Sequence, residues 1–86
     1  MKITKKIVAQ KIESYLHHEI TQEQLVGWAE SALMEGDFEE AEMDALRTVI
    51  ARLGVADVRA FGLTWEDCER LLALLGFTAR VEIASA

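Results

Sequence analysis

The stretch Phe61-Gly-Leu-Thr-Trp-Glu-Asp-Cys-Glu-Arg-Leu-Leu-Ala-Leu-Leu-Gly-Phe77 carries signals for both the start and the end of a helix. Thr64 has the side chain of an N-cap, and Asp67, three residues later, is an imperfect capping-box partner. Gly76 predicts a left-handed residue after the helix, followed by the hydrophobic residue of a Schellman motif. Because its apolar residues extend beyond one face, we expect this helix, roughly 65–75, to pack between the others.

Two segments upstream show similar signals. Thr4 can cap an amphipathic helix over roughly 5–18. Thr21 and Gln24 form a capping box at the start of a second helix, and Gly36 marks the end of that helix. Both helices have apolar residues at steps of three and four, which predicts one buried face on each.

A third helix is predicted to follow almost at once, with Asp37 as its cap and Glu40 as the capping-box partner. Gly54 is expected to end it. The next segment, residues 55–61, is too short for an ordinary helix, so we interpret it as a one-turn connector.

The hydrophobic period changes near the C-terminus. Phe77, Ala79, Val81 and Ile83 alternate with polar residues, as in a half-buried strand. A lone strand leaves its backbone groups without partners, so this segment must pair with residues 1–4, pair with a second copy of the chain, or pack on the helices as an extended tail. We favour the last two arrangements.

The predicted fold class is therefore all-α. We expect a single helical domain over residues 1–86, built as a small bundle of four main helices with a one-turn connector and an extended or strand-like C-terminal segment. The composition agrees with this class, because the chain is 51% hydrophobic and contains no proline. It fits neither intrinsic disorder nor a loop-rich secreted scaffold.

The net charge of −6 is distributed in blocks. Residues 1–11 carry four lysines and no acid, residues 12–46 carry ten acids and neither Lys nor Arg, and residues 47–86 are balanced. Phosphate binding requires clustered cations, so we expect no nucleic-acid partner and no membrane binding. A basic protein is the partner that this charge favours. The absence of a leader sequence and of a long apolar run makes the cytoplasm the expected location.

No catalytic residue, metal site or cofactor is predicted. Cys68 lies in the first turn of a helix, but a thiol nucleophile needs a nearby base, and nothing local brings His17 or His18 there. The two histidines point about 100° apart on a helix, and no further ligands complete a zinc set. The acidic run does not have the spacing of a calcium-binding loop. A thiol enzyme that uses Cys68 is therefore the least favoured function.

Two groups of residues are candidates for partner binding. The acidic group would dock a basic surface, although helix-start and solvent-exposed acids are the simpler interpretation. The second group would supply an apolar anchor at the two ends of the last helix. The candidates are Glu35, Asp37, Glu39, Glu40 and Glu42 in the acidic group, and Trp65 and Leu74 in the apolar group.

The run Ile20-Thr21 into Leu25-Val-Gly-Trp28-Ala, with the segment Phe61 to Cys68 and Leu75-Gly-Phe77, resembles a family of small, uncharacterised bacterial proteins. That resemblance covers most of the chain and implies no function. The small size, acidity and helix–Ile-Thr–helix opening are also similar to bacteriocin immunity proteins, which bind and neutralise a basic nuclease toxin. No immunity-site residue can be assigned to a position in this chain.

We therefore expect a non-enzymatic protein-interaction module, in which an acidic face on helices 2 and 3 steers a basic partner and an apolar anchor supplies affinity. An immunity-like inhibitor is one concrete form of this function. The alternative is a homo-oligomeric structural protein assembled through helix 4 and the C-terminal strand, for example as a homodimer.

Overall fold

Helices dominate the structure, a computed structural model that describes residues 2–58 and 62–84. The described residues form four α-helices, one 3₁₀ turn at Glu40–Glu42 and two very short strands. These elements are β1 (Lys2–Ile3), α1 (Lys5–Leu16), α2 (Gln22–Glu35), β2 (Asp37–Phe38), α3 (Met43–Gly54) and α4 (Trp65–Leu74). The predicted all-α class is confirmed.

The predicted N-caps of α1, α2 and α4 are confirmed. Thr4 Oγ1 accepts a hydrogen bond from the Ile7 N–H at 3.2 Å. Thr21 forms a complete capping box with Gln24. Thr64 does so with Asp67, whose short side chain closes the box in spite of its imperfect fit to the pattern. Each cap satisfies backbone N–H groups that would otherwise lack partners in the first turn.

The predicted end of α4 is also confirmed. Gly76 has φ +88°, the left-handed conformation that favours glycine. The Phe77 N–H donates to the Leu72 carbonyl at 2.9 Å, and the Gly76 N–H donates to the Ala73 carbonyl at 3.0 Å. These two bonds are the pair that defines a Schellman motif.

The predicted start of α3 at Asp37 is wrong. Asp37 and Phe38 form β2, which pairs in parallel with β1, and the Glu39 N–H continues the contact by donating to the Ile3 carbonyl at 3.0 Å. The backbone of this segment is therefore extended, and the chain becomes α-helical only at Met43, after the 3₁₀ turn. Burial of Ile3, whose side chain is fully enclosed, outweighs the local capping signal.

The core lies between all four helices, but α4 is not at its centre. The most extensive helix packing joins α2 to α3, whereas α4 packs against α1 and α3. Leu74 is 53% exposed, so the wide apolar surface of α4 is not buried on most sides, as its sequence suggested. The fully enclosed side chains of the core include Ile3, Val8, Ile12, Leu25, Leu46, Val49, Ile50, Leu53, Cys68 and Leu75.

The two irregular segments differ in how far they match the predictions. Residues 55–58 form a turn closed by a Val58 N–H to Val55 carbonyl bond of 3.0 Å, and the rest of the predicted connector, 59–61, lies outside the described residues. The C-terminal segment, defined as residues 77–84, forms neither a helix nor a strand. Since β1 pairs with β2, this segment is not the partner of the N-terminus.

Candidate functional site

A groove separates α1 from the C-terminal segment. Its volume is about 630 Å³, and it is partly open to solvent. We call it the α1 groove. One wall is supplied by α1 through Lys6, Ala9, Gln10, Glu13, Leu16 and His17, and the other by Trp65, Leu72 and residues 77–82.

The apolar part of the α1 groove is continuous with the core. Leu16 and Ala79 are half-buried and pack against the buried cluster, while Trp65 at the start of α4 forms part of the wall. The other tryptophan is placed differently, because Trp28 packs on the core and the Lys11 ammonium lies 5.6 Å from its ring centroid. Trp65 is therefore the tryptophan that a bound partner could contact within the groove.

Five predicted site residues lie together in one segment, residues 35–42, which we call the acidic segment. Glu35 ends α2, Asp37 lies in β2, Glu39 follows it, and Glu40 and Glu42 lie in the 3₁₀ turn. Glu35, Asp37 and Glu40 are exposed, and the other two are half-buried. The acids thus lie at least partly exposed in one short segment, although not on the helix face that the sequence suggested.

Two N-terminal lysines lie beside the acidic segment. Lys2 is the register partner of Asp37 in the parallel ladder, and Lys5 Nζ lies 3.4 Å from the Glu42 carboxylate. This ion pair gives a reason for a lysine in the first turn of α1, where a positive charge opposes the helix dipole. It also reduces the negative charge at the α1 edge of the segment.

The acidic segment and the α1 groove lie on either side of the first turn of α1. Lys5 contacts the acidic segment, whereas Lys6 lines the groove. Consecutive helical residues point about 100° apart, so the helix itself forms the ridge between the two surfaces. The sequence did not predict this adjacency, although the stripe of Lys6, Gln10, Glu13 and His17 at steps of three and four marks one side of α1.

Trp65 and Leu74 do not form one surface. They are nine residues apart on α4, a separation that turns the helix by about two and a half revolutions and places them on opposite faces. Leu74 accordingly is not among the residues that line the α1 groove. Of the two predicted apolar anchors, only Trp65 lies on that surface.

Cys68 has none of the properties of a reactive thiol. Its side chain is fully enclosed, and burial raises its pKa from 9.0 to about 11, with the Asp67 charge adding to the effect. Burial therefore outweighs the helix N-terminus, which would lower a thiol pKa. Within the described residues, no group of His, Cys, Asp and Glu could hold a metal ion, and no helix is long and apolar enough to cross a membrane.

Comparison with known proteins gives no match for this chain among protein-family models, curated proteins or solved structures. The resemblances noted in its sequence therefore stay predictions.

Proposed function

We propose that this chain is a non-enzymatic protein-interaction module that docks a basic protein partner. The observation that carries the proposal is the adjacency of the acidic segment and the α1 groove across the first turn of α1. A partner that lies over this turn can contact both surfaces at once. The two surfaces offer the charge and the apolar contact that a protein interface combines.

The acidic segment would increase the rate at which the partner associates. Its charge belongs to a chain with a net charge of −6, and opposite charges raise the rate of association by steering the encounter. This effect decays within a Debye length of about 8 Å at physiological salt, so it requires the partner's basic residues to approach the segment closely.

The α1 groove would hold the partner after the encounter. Trp65 offers an aromatic wall, and tryptophan is enriched among the residues that dominate binding energy at interfaces. An apolar side chain of the partner that enters the groove would lose much of its contact with water there. An immunity-like inhibitor of a basic toxin is one form of this function.

The proposal is tested by comparing two variants of equal net charge. The triple variant Glu39→Gln, Glu40→Gln, Glu42→Gln neutralises three acids of the acidic segment. The control variant Glu19→Gln, Glu30→Gln, Glu69→Gln neutralises three exposed acids elsewhere. A partner captured on the immobilised wild-type chain is then titrated against all three proteins at low and high salt.

We expect the association rate to fall about 10-fold or more at low salt in the first variant, and much less in the control. At about 1 M salt, where the Debye length is about 3 Å, the three proteins should associate at similar rates. Separately, Trp65→Ala should increase the dissociation rate. Equal rates for the two triple variants, or capture that is insensitive to salt, would contradict the proposed mechanism.

A further inference from the structure

The C-terminal segment carries backbone groups and apolar side chains that the rest of the chain leaves uncovered. After the Phe77 N–H bond to Leu72, no backbone hydrogen bond joins residues 78–84 to any other part of the chain that the structure describes. Ala79 is half-buried on the core, but Val81 is 68% exposed and Ile83 is 98% exposed. The sequence of this segment alternates apolar and polar residues as a strand does, and no strand lies beside it among the described residues.

The charges of this segment complement each other in only one symmetric arrangement. In an antiparallel pair centred on Val81, Arg80 of each copy lies directly opposite Glu82 of the other. Centring the pair on Arg80 or on Glu82 instead would place identical charges opposite each other, which destabilises a sheet. An in-register parallel pair would also bring like charges together. The sequence therefore favours a two-fold axis at Val81.

The apolar residues agree with the same register. With the axis at Val81, Ala79 of one copy lies opposite Ile83 of the other, and Val81 lies opposite itself. The six side chains share one face of the two-stranded ribbon, because residues two apart point to the same side. The strand-like segment itself lies against α1, because residues 77–82 line the α1 groove together with Trp65.

We propose that the C-terminal segment is a self-association strand, which pairs two copies of this chain antiparallel about a two-fold axis at Val81. An isolated two-stranded ribbon is only marginally stable in water, and stable interfaces usually bury about 1,200 Å² or more. The dimer should therefore be weak and depend on protein concentration. The acidic segment takes no part in it, but residues 77–82 also line the α1 groove, so the dimer and the proposed basic partner share that surface.

Charge reversal tests the pairing. Arg80→Glu alone and Glu82→Arg alone each place like charges opposite each other in a dimer of identical copies, so each variant should lose self-association in sedimentation velocity experiments. The double variant Arg80→Glu, Glu82→Arg should recover it. An equimolar mixture of the two single variants should associate as well, since opposite charges then face each other between unlike copies.

Disulfide cross-linking tests the register. Val81→Cys places a thiol opposite its own copy on the two-fold axis, where directly opposite Cβ atoms are about 4.5–5.5 Å apart. Ile83→Cys faces Ala79 instead and is the matched control. Under mild oxidation we expect a cross-linked dimer from the first variant and little from the second; the native Cys68 is buried in both.

The inference is overturned if the wild-type chain stays monomeric up to about 1 mM, a concentration that detects even weak complexes. It is also overturned if the mixture of single variants does not associate, or if Ile83→Cys cross-links as readily as Val81→Cys. Replacing Glu39, Glu40 and Glu42 by Gln should leave the dimer unchanged. Loss of the dimer in that variant would likewise contradict the assigned pairing.

Discussion

Gly36 lies where the last turn of α2 meets Ile3 of β1. Its backbone angles, φ −73° and ψ 143°, are accessible to any residue, so the position does not require glycine for its conformation. A Cβ atom at this position would meet the carbonyl oxygen of Ala32 and lie 2.8 Å from Cγ1 of Ile3. The absence of a side chain is what allows β1 to pack against the end of α2.

Gly36→Ala is therefore expected to destabilise the protein by about 1–3 kcal/mol, because the backbone of α2 or β1 must shift to make room. The matched control is Gly27→Ala in the middle of α2, where an added Cβ has nothing within 4 Å. This control should raise the free energy of unfolding by about 0.5–1 kcal/mol. Urea denaturation should show a lower free energy of unfolding for Gly36→Ala and a higher one for Gly27→Ala. A similar change in both variants would contradict the close contact at Gly36.

At the scale of an element, the first turn of α4 is held by a small polar network. Asp67 Oδ2 accepts hydrogen bonds from the Thr64 N–H at 2.9 Å and from Arg52 Nη2 of α3 at 3.3 Å. The hydrogen bonds with Thr64 lower the pKa of Asp67 below 3.8, with smaller contributions from the charges of Arg52 and Arg70. The same carboxylate thus caps α4 and links it to α3.

The lowered pKa of Asp67 predicts a pH dependence of stability. As the pH falls through 3.8, Asp67 takes up a proton in the unfolded chain before it does so in the folded one. The contribution of ionised Asp67 to the free energy of unfolding is complete above this pH. It is lost as the pH falls towards the pKa that Asp67 has in the folded protein. The difference in unfolding free energy between wild type and Asp67→Asn should therefore shrink on acidification.

The control for this pH effect is Glu66→Gln, which neutralises an exposed acid in the same helical turn. The free energy of unfolding is measured by chemical denaturation between about pH 2 and pH 6, an interval that includes the ordinary pKa values of carboxyl groups. A wild-type to Asp67→Asn difference that stays constant over this range, or that changes no more than the Glu66→Gln difference, would contradict the role of Asp67.

Helix ends in this chain were predictable where the signal is local. Thr4, Thr21, Thr64 and Gly76 satisfy backbone groups within four or five residues of themselves, so their roles follow from short patterns. The start of α3 was mispredicted because Asp37 belongs to a ladder with residues far away in the sequence. A two-residue strand has no period from which it could be recognised.

At the scale of the whole molecule, the N-terminus is part of the core. Ile3 is fully enclosed, whereas Ile83, near the other end of the sequence, is 98% exposed. The packing of α2 on α3 forms the main interior contact, and β1 closes it at the edge next to Gly36. The same residue type, isoleucine, is therefore part of the core near one end of the sequence and exposed near the other.

Ile3→Ala should lower the free energy of unfolding by about 2–5 kcal/mol, the usual cost of truncating an enclosed aliphatic side chain. Ile83→Ala, the same substitution at an exposed position, should change it by less than about 0.5 kcal/mol. Thermal and urea unfolding at low protein concentration, which disfavours self-association, compare the two. Equal losses would show that β1 contributes no packing of its own.

The candidate site was predictable only in part for a related reason. The acids and Trp65 were proposed from their residue types, since clustered charge and tryptophan are visible in a sequence. The α1 groove was not, because its walls come from opposite ends of the chain and meet only after folding. Leu74 was included for its hydrophobicity, but helical geometry directs it away from Trp65.

The parallel ladder between β1 and β2 also bears on the order in which the chain folds. Its two strands are separated by the whole of α1 and α2, so closing it costs more chain entropy than forming either helix. During synthesis, β1 leaves the ribosome before β2 and cannot pair until β2 has followed. We therefore expect Ile3 to complete an interior that the helices have already begun to build.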